Sequence, residues 1–337
     1  MRVLIPDASA RIGSVFYNNG PVRNIKAISI VGSLLSATLF PGCANALETN
    51  YLKPLEFNPE PYCESVDRQT SKDIPINVQN IIQNGGKEAS SFKLGEAMLV
   101  KAAIDVAHAS KNFEACQGIF SRGAKQFYPF LRSKQNAFQK LGNSRLRRNK
   151  DIRKIQQNII RLWREDQSAR GVYVALQTSD ETGYQYWASR LASAHTAQID
   201  GISQKYIESV MEQFGWIDSK RFGKTVSNHA WLLVQHADHN PEFQAMALKL
   251  MEPYLESGGI NRSNYAYLFD RVAVNTGMKQ RFGTQPDWIC VDGEMQLQPL
   301  EDPKNVNKRR KKMGMESVED GLSYMNSITC VGRALSR

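Results

Sequence analysis

The chain is organised around residues 228–285, which read NHAWLLVQHADHNPEFQAMALKLMEPYLESGGINRSNYAYLFDRVAVNTGMKQRFGTQ. Apolar residues recur in this segment at helical spacing, and helix-boundary signals divide it. Asn240 is a good N-cap and Pro241 suits the first helical position. One helix is therefore predicted to end near Ala237, and the next to begin at Pro241.

A third helix is predicted to follow the glycine pair Gly258-Gly259, with Ser263 as its cap. Asp270 and Arg271 lie inside this helix among apolar neighbours. Charged side chains in such surroundings are rarely buried unless they are paired. We therefore expect them to meet other polar groups in space.

The rest of the chain predicts a mainly α fold, a multi-helix domain with one short β-hairpin near residues 286–299. The hairpin is indicated by Asp292-Gly293 between two alternating runs. Amphipathic patterns over 94–106 and 112–127 predict a small helical-hairpin region before the main domain. Further helices are predicted over 155–176, 184–194 and 199–214. The predicted divisions are a signal-peptide region (1–46), a small helical region (47–133), a basic linker or helix start (134–154), the main domain (155–326) and a tail (327–337).

The N-terminus has the pattern of an export signal. Residues 27–40 are apolar and uncharged, too short to cross a membrane comfortably but long enough for a signal peptide. Ala-Asn-Ala at 44–46 predicts cleavage before Leu47, and the long preceding segment suggests that Val22 is the true start. A periplasmic or secreted protein is expected, with a lipoprotein anchored through Cys43 as the alternative. No transmembrane helix is expected in the mature chain.

Cysteine usage agrees with export. Cleavage after residue 46 leaves four cysteines, an even number that an oxidising compartment favours. We favour the pairs Cys63–Cys116 and Cys290–Cys330, because each lies within one predicted region. Four reduced, buried thiols are the alternative. The sequence contains no C-x-x-C pattern, which argues against a zinc or redox motif.

The formal net charge of the chain is +10, and residues 139–154 form a basic run. Nucleic-acid binding would favour interleaved aromatic residues and a recognisable fold, and the run has neither. Nucleic acid is therefore an unlikely partner, and an exported protein meets little of it. The run is interpreted as a solvated linker or helix surface, which favours an anionic small molecule or an envelope component as partner.

Histidines suggest a metal only weakly. His229, His236 and His239 would share a face only if their helix continued, and Pro241 indicates that it ends there. We predict no metal and no cofactor. His236 could instead serve as an acid, a base or a ligand, oriented by Asp238 or Asp270, or it could simply hydrogen-bond at a helix corner.

Six short strings in the C-terminal half resemble an uncharacterised bacterial family, a domain of unknown function. They are DQSAR (166–170), AWLLVQHAD (230–238), PEFQ (241–244), AYLFDRV (266–272), QRFGTQ (280–285) and EDP (301–303), followed by Arg310. The match covers about residues 155–325. Phe282 replaces the family's usual tyrosine, and Ile217 replaces its usual proline. The resemblance implies a compact, mainly helical domain and no particular activity.

The polar residues of these strings support three hypotheses. A binding module would hold an anionic or peptide ligand through paired arginine and amide groups. A hydrolase-like enzyme would use His236 as a general base with Asp270 or Asp238. A structural interaction scaffold would use the same groups as a buried network. The predicted ligand-binding residues are Asp166, Arg170, Gln235, Arg271, Gln280, Gln285 and Arg310. The sequence does not specify a reaction.

Overall fold

The computed structural model describes residues 91–110, 116–139, 146–147, 149–177, 183–292 and 294–330. These residues form eleven α-helices and one two-stranded antiparallel sheet, so the predicted mainly α class is confirmed. The predicted signal peptide, Cys43 and Cys63 lie outside the described residues. Within the described part, the structure contains no helix that is both long and apolar enough to span a lipid bilayer.

Four long helices come first: α1 (Ser91–Ser110), α2 (Cys116–Gln139), α3 (Lys150–Leu176) and α4 (Tyr184–Phe214). Shorter elements follow: α5 (Ser219–Phe222), α6 (Lys224–Gln235), α7 (Pro241–Met251), α8 (Tyr254–Ser257), α9 (Arg262–Asn275), β1 (Pro286–Val291), β2 (Glu294–Leu297), a 3-10 turn (Pro303–Asn305), α10 (Val306–Lys312) and α11 (Val318–Thr329).

The α3–α4 pair carries two hydrophobic cores, one towards each end. One core joins the start of α3 and the end of α4 to α6, α7 and α9, and includes Ile159, Leu233 and Leu268. The other joins the end of α3 and the start of α4 to α1 and α2, and includes Phe120 and Trp187. Polar residues of α3 and α4 therefore fall near the point where one core gives way to the other.

Helix α4 corrects the predicted break between residues 194 and 199. It runs unbroken through these positions, because they contain no glycine or proline and their polar side chains are accommodated inside the bundle. Thr196 donates its hydroxyl to the Ala192 carbonyl at 2.8 Å, and His195 is fully buried. The polar residues at 195–198 are a buried stripe of one helix.

The predicted corner after α6 is confirmed. His236 caps the C-terminus of α6 through its N–H to the Leu232 carbonyl, and Asn240 caps α7 by accepting from the N–H of Phe243 at 3.1 Å. The predicted cap of the next helix is wrong by two residues. Asn261, not Ser263, caps α9, because its side-chain oxygen accepts from the Ser263 N–H.

Helices reach into both ends of the region predicted as a basic linker or helix start. Helix α2 continues to Gln139 with Pro129 inside it, and α3 begins at Lys150, capped by Asn149. The basic residues Arg153 and Lys154 occupy the exposed face of α3. Residues 146, 147 and 149 are not helical, so the basic run contains non-helical residues as well as the start of α3.

The predicted hairpin near the C-terminus is confirmed. β1 and β2 pair antiparallel with Cys290 opposite Met295, and Asp292 has the left-handed φ of 52° that a tight turn requires. A disulfide joins Cys290 to Cys330, as predicted, and so ties β1 to the end of α11. Cys116 is buried, and its expected partner, Cys63, lies outside the described residues.

Candidate active site

Four polar side chains meet in the interior of the C-terminal half, and we call them the charge cluster. They are Asp166 and Arg170 on α3, Asp200 on α4, and His236 at the end of α6. Their exposed fractions are 0, 6, 9 and 6% respectively. Charged groups at this depth are stable only when they pair with one another.

Local structure places each member of the charge cluster. Asp166 and Arg170 are one helical turn apart, so both project from the same face of α3. His236 is held at the corner because α6 ends there and α7 leaves from Asn240. The contact between Asp166 and His236 joins residues 70 positions apart, so only the packing of α3 against α6 creates it.

Arg170 lies at the centre of the charge cluster. Its Nε lies 3.1 Å from Asp166 Oδ1 and 2.9 Å from His236 Nδ1. Its Nη2 donates a short hydrogen bond to Asp200. One guanidinium therefore bridges both carboxylates and the imidazole.

The tautomer of His236 depends on two contacts of Nδ1, one with Asp166 and one with Arg170. Asp166 Oδ1 lies 2.8 Å from His236 Nδ1, and Oδ2 accepts from Gln167 at 2.7 Å. Burial alone would raise the pKa of Asp166, but the charges of Arg170 and His236 outweigh it and hold this pKa well below its usual range. An ionised carboxylate only accepts, and the Arg170 Nε–H can donate to Asp166 Oδ1 in place of Nδ1, so we assign the Nδ1 hydrogen of His236 towards Asp166. The lone pair of the ring is then at Nε2.

His236 is neutral at pH 7 in this arrangement. Burial lowers the pKa of His236, and the neighbouring Arg170 charge lowers it further, while Asp166 opposes both. Among the described residues, the hydrogen-bond partners of the ring lie at Nδ1. A neutral imidazole with a lone pair at Nε2 can accept a proton.

Asp200 differs from Asp166 although both contact Arg170. Burial raises the pKa of Asp200 to about 7; Arg170 opposes this rise and the charge of Asp166 adds to it. Two carboxylates that share one cation cannot both be fully compensated. As pH falls, Asp200 is therefore protonated first, and Asp166 keeps the negative charge of the pair.

A second group of side chains, which we call the corner lock, holds the turn after α6. Arg271 donates two hydrogen bonds to the carboxylate of Asp238, at 2.6 and 2.5 Å. Asn275 and Gln244 also donate to Asp238, each at 3.2 Å. The same Gln244 amide donates to the carbonyls of Val234 and Gln235, the last residues of α6. The corner lock thus fixes the backbone on both sides of His236.

Asp270 serves a different purpose from the one expected. Its carboxylate accepts hydrogen bonds from the backbone N–H groups of Arg281, Phe282 and Thr284, and from the Thr284 hydroxyl. Burial raises the pKa of Asp270, and these hydrogen bonds oppose the rise. Among the described residues, these hydrogen bonds join Asp270 to the loop that follows α9, and they hold that loop in place.

Three other residues hold the same loop. Gln280 donates to the carbonyls of Gln285 and Gln298, and accepts from the Gln285 N–H at 2.7 Å. Arg310 donates to the carbonyls of Phe282 and Gly283. We call Asp270, Gln280, Gln285 and Arg310 the loop clamp.

Most of the predicted site residues therefore separate into three groups, the charge cluster, the corner lock and the loop clamp. Asp166, Arg170 and His236 come together in the charge cluster, whereas Gln280, Gln285 and Arg310 belong to the loop clamp. The carboxylate bound to His236 is Asp166, and neither Asp238 nor Asp270, because those two are engaged by the corner lock and the loop. Arg271 pairs with Asp238. The side-chain oxygen of Gln235 is buried without a partner among the described residues.

The other histidines of the corner do not join His236. The ring of His229 stacks on Trp163, with centroids 4.1 Å apart and planes inclined by 3°. His239 Nε2 lies 2.8 Å from the side-chain oxygen of Gln204. Oxygen atoms of Asp166 and Asp200 and a ring nitrogen of His236 lie within 4.8 Å of one another. Arg170 already supplies the positive charge between them, so we assign no metal to this group.

Asp200 and Gln244 were not among the predicted site residues. Asp200 follows the polar run His195–Gln198, and a buried polar stripe on one continuous helix would have indicated it. Gln244 lies within the PEFQ string, next to the cap of α7. The missing information in both cases was tertiary, since each side chain contacts residues on other helices.

The predicted family resemblance is confirmed by comparison with known families. The model of a family of unknown function, DUF6624, matches residues 153–331, the C-terminal half of the chain. Comparison with curated proteins and with solved structures finds no match. The matched range contains the charge cluster, the corner lock and the loop clamp. The chain therefore belongs to this family of unknown function.

Proposed function

We propose that the C-terminal domain is a hydrolase-like enzyme in which His236 acts as a general base, oriented by Asp166. The observation that carries this proposal is the 2.8 Å contact between His236 Nδ1 and the ionised Asp166 carboxylate. It leaves the Nε2 lone pair to take a proton from a water molecule or a substrate group. A carboxylate that holds an imidazole in one tautomer is the arrangement general bases use on many folds.

The charges of the site favour this proposal over the binding of an anion. Two of the three predicted ligand-binding arginines are already paired with carboxylates, Arg170 with Asp166 and Asp200, and Arg271 with Asp238; the third, Arg310, donates to backbone carbonyls. An anionic ligand would have to displace a buried carboxylate, which costs several kcal/mol on the order of a broken buried ion pair. His236 is neutral and therefore available for proton transfer.

Chemical modification of histidine tests whether Nε2 is both neutral and reachable. Diethyl pyrocarbonate acylates unprotonated imidazole nitrogen, and peptide mass mapping locates the modified residue. We expect His236 to react at pH 7, because 3% of its side chain is exposed. His195 is an internal control, because it is fully buried and should stay unmodified. A His236 as unreactive as His195 would contradict the proposal.

Hydrolysis assays test the activity itself. The mature protein is assayed on chromogenic esters, amides and phosphoesters beside the variant His236→Asn, in which the amide nitrogen can replace Nδ1 but no base remains at Nε2. Activity should fall by at least about 100-fold. His229→Asn, also on α6 but stacked on Trp163, is the matched control and should keep its activity. Equal rates in the wild type and His236→Asn would exclude His236 as the base.

We also propose that the protein acts outside the cytoplasm. The Cys290–Cys330 disulfide supports this location, because structural disulfides persist in oxidising compartments. The signal-like segment at residues 27–40 supports it independently. N-terminal sequencing of the protein from the periplasm or medium should begin at Leu47. A mature chain that begins before residue 40 would contradict cleavage at the predicted site.

A further inference from the structure

Arg170 was expected to bind a ligand, and its contacts indicate another role. We propose that Arg170 is a positioning residue, an internal cation that keeps the Asp166 carboxylate ionised and the His236 ring neutral. This inference rests on the proposed function, because it concerns the same imidazole. It adds a residue that acts on the base without touching the substrate.

The first support is that the Arg170 guanidinium is buried and already donates hydrogen bonds to two carboxylates. Arg170 is 6% exposed and donates to Asp166 through Nε and to Asp200 through Nη2. Arginine is always charged and presents its donors in a rigid plane. Because Asp200 lies on α4 and Asp166 on α3, the two carboxylates fix both ends of that plane. Little of the Arg170 side chain is therefore accessible to a ligand.

The second support is the position of Nε relative to the imidazole. Nε lies 2.9 Å from His236 Nδ1 and 3.1 Å from Asp166 Oδ1. A positive charge at this distance opposes protonation of the ring, and it also favours the ionised form of Asp166. Arg170 therefore acts on both members of the pair in the direction that a general base requires.

Several charged groups face His236 and together set the pKa of its ring. They are Asp166 and Arg170 on α3, Asp200 on α4, Asp238 in the same turn and Arg271 on α9. Asp238 is matched by Arg271 through two hydrogen bonds. Without Arg170, the ring would face Asp166 and Asp200 with no cation between them. Its affinity for a proton would then rise.

The test is an NMR titration of the His236 ring in the wild type and in Arg170→Gln, which keeps polar atoms but removes the charge. We expect the pKa of His236 to rise by at least about one pH unit in Arg170→Gln, a tenfold gain in proton affinity. In Arg170→Lys, which restores the charge, the pKa of His236 should return most of the way to its wild-type value. Arg221→Gln is the matched control, since Arg221 pairs with Asp218 elsewhere in the domain. The pKa of His236 should be the same in this control as in the wild type.

A folded Arg170→Gln in which His236 titrates as in the wild type, or at lower pH, would overturn the inference. If Arg170→Gln does not fold, the double variant Arg170→Gln/Asp200→Asn removes one charge of each sign and is titrated instead. Because Asp166 remains, the pKa of His236 should again rise, and an unchanged pKa would again overturn the inference. The modification of His236 in the wild type tests the proposed function separately, so the two failures are distinguishable.

Discussion

In the charge cluster, carboxylates receive their hydrogen bonds from side chains, whereas in the loop clamp Asp270 receives most of its hydrogen bonds from the backbone. Backbone N–H groups cannot change protonation, and their positions are fixed by the chain. Imidazole and carboxylate groups can gain or lose protons. The same residue types therefore stabilise a loop in one region and form the proposed proton-accepting pair in the other.

The largest effect is expected in the loop clamp. Asp270→Ala should lower the free energy of unfolding by about 4 kcal/mol, because three backbone N–H groups would lose their charged acceptor in the interior. Urea denaturation measures the change, and the ring signals of His236 should not move. Glu301→Ala is the control, since its partly exposed pair with Arg281 should contribute less than about 1 kcal/mol. A loss below about 1 kcal/mol for Asp270→Ala would remove the distinction between the two regions.

The next effect concerns the corner lock. Arg271→Met should cost about 3 kcal/mol, because it leaves the Asp238 carboxylate largely buried without its cation. Adding Asp238→Leu should recover stability to within about 1 kcal/mol of the wild type, since apolar groups often replace a buried ion pair as a unit. Chemical denaturation of both variants measures this. No single partner change could rescue Asp270→Ala in the same way, because its donors belong to the backbone.

The smallest effect is a pH dependence confined to the charge cluster. Burial raises the pKa of Asp200 to about 7, above its value in the unfolded chain, so its stabilising contribution is present at low pH and lost as pH rises through about 7. Asp200→Asn removes this loss. Relative to the wild type, the variant should gain about 2 kcal/mol between pH 5 and pH 8.

The histidines change stability in the opposite sense. Burial lowers the pKa of His195 and of His229 to about 4, so their contributions are present above the unfolded pKa and lost as pH falls. Both residues are the same in the wild type and Asp200→Asn. The difference between their stability curves, measured by denaturation across this pH range, therefore isolates Asp200. A difference that does not vary with pH would show that Asp200 is ionised throughout.

The amino-acid sequence by itself determined most of the local structure. Helical periodicity, the Asn240-Pro241 boundary and the Asp292-Gly293 turn predicted the helices, the corner and the hairpin, because each depends on neighbouring residues. The family strings also indicated Asp166, Arg170 and His236 as site residues. The break predicted in α4 is wrong, because residues 195–198 form a buried polar stripe of one continuous helix.

Only the tertiary structure decided which of these residues meet. His236 contacts Asp166, 70 positions away, and Asp270 binds the backbone of a loop. Both contacts depend on how α3, α6 and α9 pack. Packing also places carboxylates beside Arg170 and Arg271, so the charges of both arginines are neutralised within the domain. Spacing along a helix shows which face a side chain occupies, but it does not show which other helix covers that face.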